Sequence, residues 1–169
     1  SVIVPVYNEA NTIREILKKI DSVAIDKEII VVDDGSCDGT DKVLREVKYN
    51  NLKVIHHTSN RGKGSAILTG LLHAVGEYVI IQDADLEYDP NDYLKLMVPI
   101  KETKADLVLG ARFTKGYRGL IIHRLGNIFL TNLLNMLFNA RINDCFTCYK
   151  LLRRDTINRL GLKSKSFDI

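Results

Sequence analysis

The fold is decided by the stretch Tyr78-Val-Ile-Ile-Gln-Asp-Ala-Asp85, in which an apolar run leads directly into acidic residues. A second stretch, Ile29-Ile-Val-Val-Asp-Asp-Gly-Ser36, repeats this pattern. Short β-branched runs without alternation are typical of strands that are buried on both faces of a parallel sheet. In open sheets of this kind, ligands bind beyond the carboxyl ends of the strands. Both stretches therefore predict a strand that ends at a functional site.

Similar apolar runs alternate with helical periodicity along the rest of the chain. Helices are predicted after the first three strands and over 91–102, the first with its apolar face formed by Ile13, Ile16, Leu17 and Ile20. The remaining predicted strands are Val2–Val4, Leu52–Ile55 and Asp106–Leu109. This alternation indicates βαβ units. We therefore expect an α/β fold: an open, mainly parallel sheet with helices on both faces.

Length and composition indicate one folded domain. The chain has 169 residues, of which 46% are hydrophobic, 27% are charged and three are proline, which excludes collagen-like and disordered chains. Its apolar stretches are broken well before the roughly 18 residues that a membrane-spanning helix requires. Residues 1–169 are expected to form a single domain, and its strand-like first residues suggest a piece of a longer protein.

The charge distribution indicates which binding partners to expect, and the cysteine content indicates the redox compartment. Residues 1–100 carry a net charge of −5 and residues 101–169 a net charge of +8. The basic part suggests nucleic acid, an anionic membrane surface or a phosphate-bearing substrate, with a simple solvated face as the alternative. The three cysteines give no disulfide framework, which favours a reducing, cytosolic compartment. Cys145 and Cys148 are interpreted as ordinary free thiols.

Polar segments follow all five predicted strands and are expected to meet at one edge of the sheet. They are Pro5–Glu9, Asp33–Ser36, Asn60–Gly64, Gln82–Asp85 and Gly110–Arg112. In an extended segment, Asp83, Asp85 and Glu87 would share a face, where their oxygens suit Mg²⁺ or Mn²⁺ completed by substrate phosphates. The alternative is a solvated acidic turn.

Two further segments have the chemistry of nucleotide recognition. The paired acids Asp33 and Asp34 offer acceptors to ribose hydroxyls and base N–H groups, although a simple strand-to-helix turn explains them as well. Gly62-Lys63-Gly64 places a cation at a helix start, which suits phosphate, but such glycine turns are also common as structural elements. The four histidines have no spacing typical of a metal site.

Taken together, these motifs resemble glycosyltransferase family 2, whose fold is the GT-A fold. The resemblance rests on Val4–Glu9, Val32–Ser36, Asn60–Gly64 and Asp83–Asp85, in that order and spacing, and is strongest to the branch that acts on polyprenyl phosphates. It implies that Pro5, Tyr7, Glu9 and Asp33 frame the nucleoside. The full set of implied donor-binding residues is Pro5, Tyr7, Asn8, Glu9, Asp33, Asp34, Gly35, Ser36, Lys63, Gly64, Asp83, Ala84 and Arg112. The implied metal ligands are Asp83, Asp85 and Glu87, although Glu87 replaces the glutamine frequent in mannose synthases.

The basic part of the chain is expected to hold the acceptor. The resemblance implies that Arg112 and Arg124 bind phosphates and that Asp85, Arg124 and Asp144 are catalytic. Asp144 would act as a general base on a hydroxyl acceptor and would only orient a phosphate acceptor. Residues 120–139 form an amphipathic helix that either faces lipid or packs on the domain's own core. Cys148 and Tyr149 stand where many relatives have glycine and phenylalanine, which leaves the local acceptor geometry open.

The resemblance implies an inverting, metal-dependent transfer of a hexose from UDP- or GDP-sugar to a polyprenyl phosphate such as dolichyl or undecaprenyl phosphate. The enzyme would lie at the cytosolic face of a membrane. Transfer to a carbohydrate hydroxyl during cell-surface polysaccharide synthesis is one alternative, and a catalytically inactive nucleotide-sugar-binding partner is another. Nucleic acid is not expected, because the basic part lacks interleaved aromatic residues and any known binding module.

Overall fold

The computed structural model describes residues 1–103, 105–110, 121–140, 142–145 and 147–160, with the backbone alone at 121–125, 158 and 160. Within these ranges the chain forms one six-stranded sheet in the order β3-β2-β1-β4-β6-β5. The strands are β1 (Val2–Val6), β2 (Ile29–Asp33), β3 (Leu52–His56), β4 (Tyr78–Ile81), β5 (Leu107–Leu109) and β6 (Lys150–Arg153).

The first four strands are parallel and the sixth reverses direction. Pairing of β1 with β2, of β2 with β3 and of β1 with β4 is parallel, whereas β6 is antiparallel to both β4 and β5. Strand β5 therefore runs in the same direction as β4. The carboxyl ends of β1 to β5 all point to one edge of the sheet, as the mainly parallel arrangement predicts.

Helices cover both faces of the sheet and are held there by alternate strand side chains. The helices are α1 (Ile13–Ser22), α2 (Thr40–Glu46), α3 (Lys63–His73), α4 (Tyr93–Glu102), α5 (Ile121–Phe138) and α6 (Arg154–Leu160), with a 3-10 turn at Pro90–Asp92. Val2, Val4 and Val6 pack with α1, α2 and α4 in the larger core. Ile3 packs with α3 and α6 in a smaller core on the opposite face. Successive side chains of β1 point to opposite faces of the sheet, so this one strand contributes residues to both cores.

The predicted α/β architecture is confirmed, with differences in individual elements. Strand β6 was not predicted, because Lys150-Leu-Leu-Arg153 has only two apolar residues between cations. The helix predicted after the third strand begins at Lys63, inside the predicted polar segment Asn60–Gly64, and ends at His73. None of the described helices is long and apolar enough to cross a membrane.

Candidate functional site

The loops after β1, β2 and β3 meet because the strand register brings their ends level. Val6 pairs with Asp33, and Asp33 pairs with His56, at the last position of each ladder. Hydrogen bonds then join the three predicted polar segments, from Asn8 to Ser36 and from Asp34 to Arg61 and Gly62. The predicted convergence of strand ends is therefore present for these three segments.

Pro5 separates β1 from β4 at this edge. Val2 N donates to Glu28 O and Asp34 N donates to Val6 O, so the even-numbered residues of β1 bond with β2. Pro5 consequently faces β4, where it has no N–H to donate. Pairing between β1 and β4 ends at Ile3 and Ile81, two residues before Pro5. The gap that follows lies between the two strands that carry the predicted nucleoside and diphosphate residues.

The segment after β1 is fastened to the segment after β2. Asn8 N donates to Ser36 Oγ over 2.9 Å, and Asn8 Oδ1 accepts a hydrogen bond from Cys37 N, also over 2.9 Å. Asn8 adopts the left-handed conformation, with φ of 58°, which asparagine tolerates better than most residues. The side chain of Tyr7 is left 47% exposed at this edge. Asn8 and Ser36 thus organise the turn, whereas Tyr7 is presented to solvent.

The two neighbouring acids after β2 have different surroundings. Asp33 is buried, and its carboxylate accepts hydrogen bonds from Ser36 N at 3.1 Å and from His56 Nδ1 at 3.0 Å. The His56 side chain is 44% exposed, whereas that of Asp33 is only 4% exposed. Asp33 therefore holds the predicted turn from a buried position, with half-exposed His56 beside it.

Asp34 is buried to the same extent but contacts a different loop. Its carboxylate is 3% exposed and accepts hydrogen bonds from Arg61 N at 3.0 Å and Gly62 N at 2.7 Å. His57 Nδ1 lies 2.5 Å from the same carboxylate. The structure places this predicted donor-binding residue where its oxygens hold the loop that precedes α3. Its contribution to a donor site is consequently through the position of that loop.

An ion pair joins the loop before α3 to the acidic segment after β4. Lys63 Nζ lies 2.6 Å from Asp83 Oδ1, and Asp83 is 8% exposed. Burial alone would lower the pKa of the Lys63 ammonium, but the adjacent Asp83 carboxylate outweighs burial and the pKa is raised. Lys63 is therefore firmly cationic beside two acids, Asp83 and Asp85, both of which favour its charge.

Cys148 closes the other side of Asp83. Its thiol hydrogen-bonds to Asp83, and its backbone N–H donates to Tyr88 Oη over 3.0 Å. Burial and the Asp83 carboxylate together raise the pKa of this thiol, which keeps it protonated. The segment that departs from the family pattern thus lies directly against a predicted donor residue.

The three predicted metal ligands do not share one face. Leu86 has a φ of 65°, so the backbone turns between Asp85 and Glu87 and the extended alternation expected from the sequence ends there. Asp85 Oδ1 accepts a hydrogen bond from Glu87 N over 3.0 Å, and both side chains are exposed. Across the described part of the chain, no group of three or more His, Cys, Asp or Glu side chains is gathered closely enough to hold a metal ion. A cation at Asp83 and Asp85 would therefore need further ligands beyond those that the described residues gather there.

The chemistry of these donors still fits a divalent cation that is shared with a substrate. Mg²⁺ is usually held by one or two carboxylates together with substrate phosphates and water, and Mn²⁺ accepts the same hard oxygen ligands. Asp85 presents an exposed carboxylate two residues after buried Asp83. Two carboxylates are sufficient for that arrangement, so Glu87 is not needed for it.

A buried polar cluster supports the acidic segment from below, and sequence reasoning missed it. Gln82 is fully buried, and its Oε1 accepts hydrogen bonds from Tyr93 Oη and Tyr149 Oη, each at 2.7 Å. Its Nε2 donates to Asp83 O over 2.9 Å. Burial raises the pKa of both tyrosines, which remain hydrogen-bond donors. The signal available in the sequence was Gln82 itself, a polar residue directly after the apolar run Tyr78–Ile81.

Asp144 is anchored by the polar stripe of α5. Asn127 Nδ2 donates to Asp144 Oδ1 over 2.6 Å, and Asn127 Oδ1 accepts from Thr131 Oγ1 over 2.9 Å. One turn further on, Asn135 exchanges hydrogen bonds with the backbone of Ile142. The stripe therefore faces the protein's own 142–145 segment, and Asp144 is only 2% exposed.

The apolar side chains of α5 are instead on the outside. Six large hydrophobic residues of this helix are between 38% and 74% exposed: Ile128, Phe129, Leu130, Met136, Leu137 and Phe138. Of the two predicted phosphate-binding arginines, Arg112 lies outside the described residues, and Arg124 lies in the first turn of α5 with its side chain outside them.

The sequence matches the model of a known protein family. The model for glycosyl transferase family 2 matches residues 1–161. The chain belongs to this family. The predicted family membership is thereby confirmed over almost the whole sequence.

Two curated relatives carry names that refer to dolichol or polyprenol phosphates. The dolichol-phosphate mannosyltransferase of Pyrococcus furiosus is 33% identical and covers 100% of this chain and 50% of its own length. The polyprenol monophosphomannose synthase of Mycolicibacterium smegmatis is 29% identical and covers 96% of this chain and 64% of its own length. The chain thus spans between half and two-thirds of these relatives.

Solved structures of glycosyltransferases share the fold. The mannosyltransferase PcManGT of Pyrobaculum calidifontis, solved in complex with GDP-Man and Mn²⁺, matches with a TM-score of 0.71 and 28% identity, over 99% of this chain and 47% of its own. The glucosyl-3-phosphoglycerate synthase of Mycobacterium tuberculosis matches with a TM-score of 0.70 at 22% identity, over 98% of this chain and 66% of its own. The predicted GT-A fold is confirmed by these neighbours.

Proposed function

We propose that this family 2 domain transfers a hexose from a UDP- or GDP-sugar to a polyprenyl phosphate, with inversion at the anomeric carbon and with a divalent cation. The observation that carries the proposal is the Lys63–Asp83 ion pair, with exposed Asp85 beside it, at the gap between β1 and β4. The Lys63 ammonium would contact diphosphate oxygens, and the carboxylates of Asp83 and Asp85 would hold the metal ion. These groups lie beyond the carboxyl ends of parallel strands, where open sheets bind ligands.

The nucleoside is assigned to the edge formed by β1 and β2. The Asp33 carboxylate is the proposed hydrogen-bond acceptor for the ribose or the base. Pro5 ends the pairing of β1 with β4 and so leaves space for the nucleoside, and exposed Tyr7 offers an aromatic ring. Asn8, Glu9, Gly35 and Ser36 belong to the turns that hold these groups in place. PcManGT is solved in complex with GDP-Man, and the proposal includes both GDP- and UDP-sugars.

The diphosphate is assigned to the start of α3 and the acidic segment. Lys63 supplies a positive charge, and α3 begins there without a side-chain cap, which leaves its first amides directed at an anion. Asp83 and Asp85 are proposed to hold the cation there, whereas Ala84, also predicted from the sequence, is buried in the larger core. When bound, Mg²⁺ or Mn²⁺ would offset the charge that develops on the leaving diphosphate. PcManGT, solved with Mn²⁺, supports this assignment.

The reaction is a single displacement. A phosphate oxygen of the acceptor forms a bond to the anomeric carbon while the bond from that carbon to the diphosphate oxygen breaks, which inverts the configuration. An ionised phosphate needs no general base. Buried Asp144, fixed by Asn127, would then orient neighbouring groups instead of removing a proton.

The acceptor and membrane surface are assigned to α5. Its exposed apolar side chains fit the acyl region of a bilayer, and the net charge of +8 over residues 101–169 fits anionic lipid headgroups. Arg112 and Arg124 remain the proposed phosphate ligands on this side. We place the domain at the cytosolic face, in keeping with its free cysteines.

Transfer from radiolabelled GDP-mannose, UDP-glucose and UDP-GlcNAc tests the proposal directly. The full-length protein is offered vesicles that contain a polyprenyl phosphate, or soluble glycans, with Mg²⁺, with Mn²⁺ or with EDTA. We expect label in the lipid phase only, lost with EDTA and in Asp85→Asn. Asp92→Asn, which changes an exposed acid paired with Lys95, is the matched control. Label in glycans would favour the hydroxyl acceptor, and nucleotide binding without any transfer would favour the inactive partner.

Vesicle binding tests the membrane assignment separately. The double variant Leu137→Glu with Phe138→Glu should release the protein from sedimenting anionic vesicles. Leu72→Glu, which places the same charge at an 84% exposed position of α3, should not. Equal release by both variants would contradict the assignment to α5.

A further inference from the structure

His57 is buried beside the site, yet neither the sequence motifs nor the proposed reaction uses it. It directly follows β3, and its N–H continues the ladder by donating to Asp33 O over 2.8 Å. Because consecutive residues of an extended strand point to opposite faces, half-exposed His56 reaches Asp33 while His57, whose side chain is 4% exposed, points towards α3. The two adjacent histidines therefore have different environments.

The His57 ring links Asp34 to α3. Its Nδ1 lies 2.5 Å from Asp34 Oδ1, and its Nε2 lies 2.9 Å from Thr69 Oγ1. An ionised carboxylate only accepts hydrogen bonds, so Nδ1 carries a proton. Nε2 can accept from the Thr69 hydroxyl or donate to it. Both ring nitrogens are thus committed, and the ring cannot rotate without breaking two contacts.

The Asp34 carboxylate in turn fixes the loop before α3. It accepts the N–H groups of Arg61 and Gly62, immediately before Lys63. Gly62 has a φ of 90°, and α3 begins without a side-chain cap, so Asp34 holds the two amides that precede the helix and leaves those of the first turn uncapped. Any shift of this carboxylate would move the amides on which the orientation of Lys63 depends.

We infer that His57 is a positioning residue for diphosphate binding: by holding Asp34 against the Arg61 and Gly62 amides, it sets where Lys63 meets Asp83 and the ligand. This inference rests on the proposed function for the identity of the ligand. The contacts run without interruption from Thr69 through His57 and Asp34 to the loop, and from Lys63 to Asp83. His57 itself touches no proposed ligand group.

Two conservative variants separate positioning from simple packing. His57→Asn retains an N–H donor near the place of Nδ1, facing Asp34, whereas His57→Gln places its amide near Nε2, facing Thr69. His73→Gln is the matched control, because His73 is an exposed histidine of α3 whose ring contacts Lys53. Amide hydrogen exchange at Arg61 and Gly62 is measured in ligand-free protein. The Kd for UDP and for GDP with Mn²⁺ is measured by calorimetry well below the melting temperature.

We expect His57→Gln to speed exchange at both amides and to raise the nucleotide Kd about tenfold, the scale of one hydrogen bond to a charged group. His57→Asn should stay within about threefold of the unmodified protein, and His73→Gln should be unchanged. A purely structural role would lower the melting temperature but leave the Kd of the folded protein unaltered, and that result would overturn the inference. Unchanged exchange in His57→Gln would overturn it as well.

Failure of the proposed function gives a different result. If the unmodified protein binds neither UDP nor GDP, the donor assignment is wrong, and the exchange rates at Arg61 and Gly62 alone decide whether His57 positions the loop.

Discussion

Gly35 is the point at which the turn after β2 meets the loop after β3, and its replacement tests how tightly the two are joined. The residue has a φ of 74°, in the left-handed region that favours glycine. A Cβ at this position would lie 2.7 Å from Ser59 C and 2.8 Å from Asn60 N. Both atoms belong to the backbone, so neither can rotate away as a side chain would.

Gly35→Ala should lower the free energy of unfolding by about 2–5 kcal/mol. The left-handed conformation costs alanine roughly 1–2 kcal/mol. The overlap with two backbone atoms adds roughly 1–3 kcal/mol, the range for overpacking. Gly39→Ala is the matched control, because Gly39 has a φ of 99° but no heavy atom within 4 Å of a built Cβ. This control should cost only the conformational part, roughly 1–2 kcal/mol.

Urea unfolding followed by circular dichroism measures both variants. The difference between the two free energies isolates the close contact between the loops. Should Gly39→Ala destabilise the protein as much as Gly35→Ala, the close packing of Gly35 on Ser59 and Asn60 would be refuted. We also expect Gly35→Ala, while still folded, to bind nucleotide more weakly than Gly39→Ala, because the same contact lets Asp34 reach Arg61 and Gly62.

Three further predictions concern the acidic segment and its supports. Gln82→Leu should lower the free energy of unfolding by about 2–5 kcal/mol in urea titrations, because it leaves the buried Tyr93 and Tyr149 hydroxyls without their acceptor; a loss below 1 kcal/mol would contradict it. Cys148 should react with iodoacetamide more slowly than exposed Cys37 at pH 8, because burial and Asp83 raise its pKa and the reactive thiolate appears only at higher pH. Asp83→Asn should lower that pKa and accelerate the reaction, as mass spectrometry of the two peptides would show. Asp144→Asn should reduce transfer to a polyprenyl phosphate less than Asp85→Asn does, and an equal loss of kcat would contradict a purely orienting role for Asp144.

The parallel part of the fold was predictable because each of its strands carries its own signal. Ile29–Val32 and Tyr78–Ile81 are short apolar runs rich in β-branched residues, which is typical of strands buried on both faces of a sheet. Strand β6 has no such signal, since it is short and ends in cations. Its pairing with β4 and β5 is decided by contacts far along the chain, which a single sequence does not display.

For the candidate site, the sequence predicted residues but not the direction of their side chains. Asp33 and Asp34 are adjacent acids with the same motif support, and the strand alternation directs one to Ser36 and His56 and the other to the Arg61–Gly62 amides. The same limit applies to Glu87, because the left-handed backbone at Leu86 is invisible in the sequence. His57 gave no motif at all, since a lone buried histidine has no characteristic spacing.

Helix α5 shows how the structure decides between two interpretations that the sequence left open. Its amphipathic pattern was compatible with an apolar face on the core or with an apolar face directed outward. The polar stripe is the inner face of the helix, because its side chains hydrogen-bond to the 142–145 segment. These side chains are Asn127, Thr131 and Asn135. The exposure of Phe129, Leu137 and Phe138 follows directly from that choice. Exposed apolar patches often mark membrane or partner contacts, and this one lies on the helix that anchors Asp144, which is why we propose an acceptor with a lipid tail.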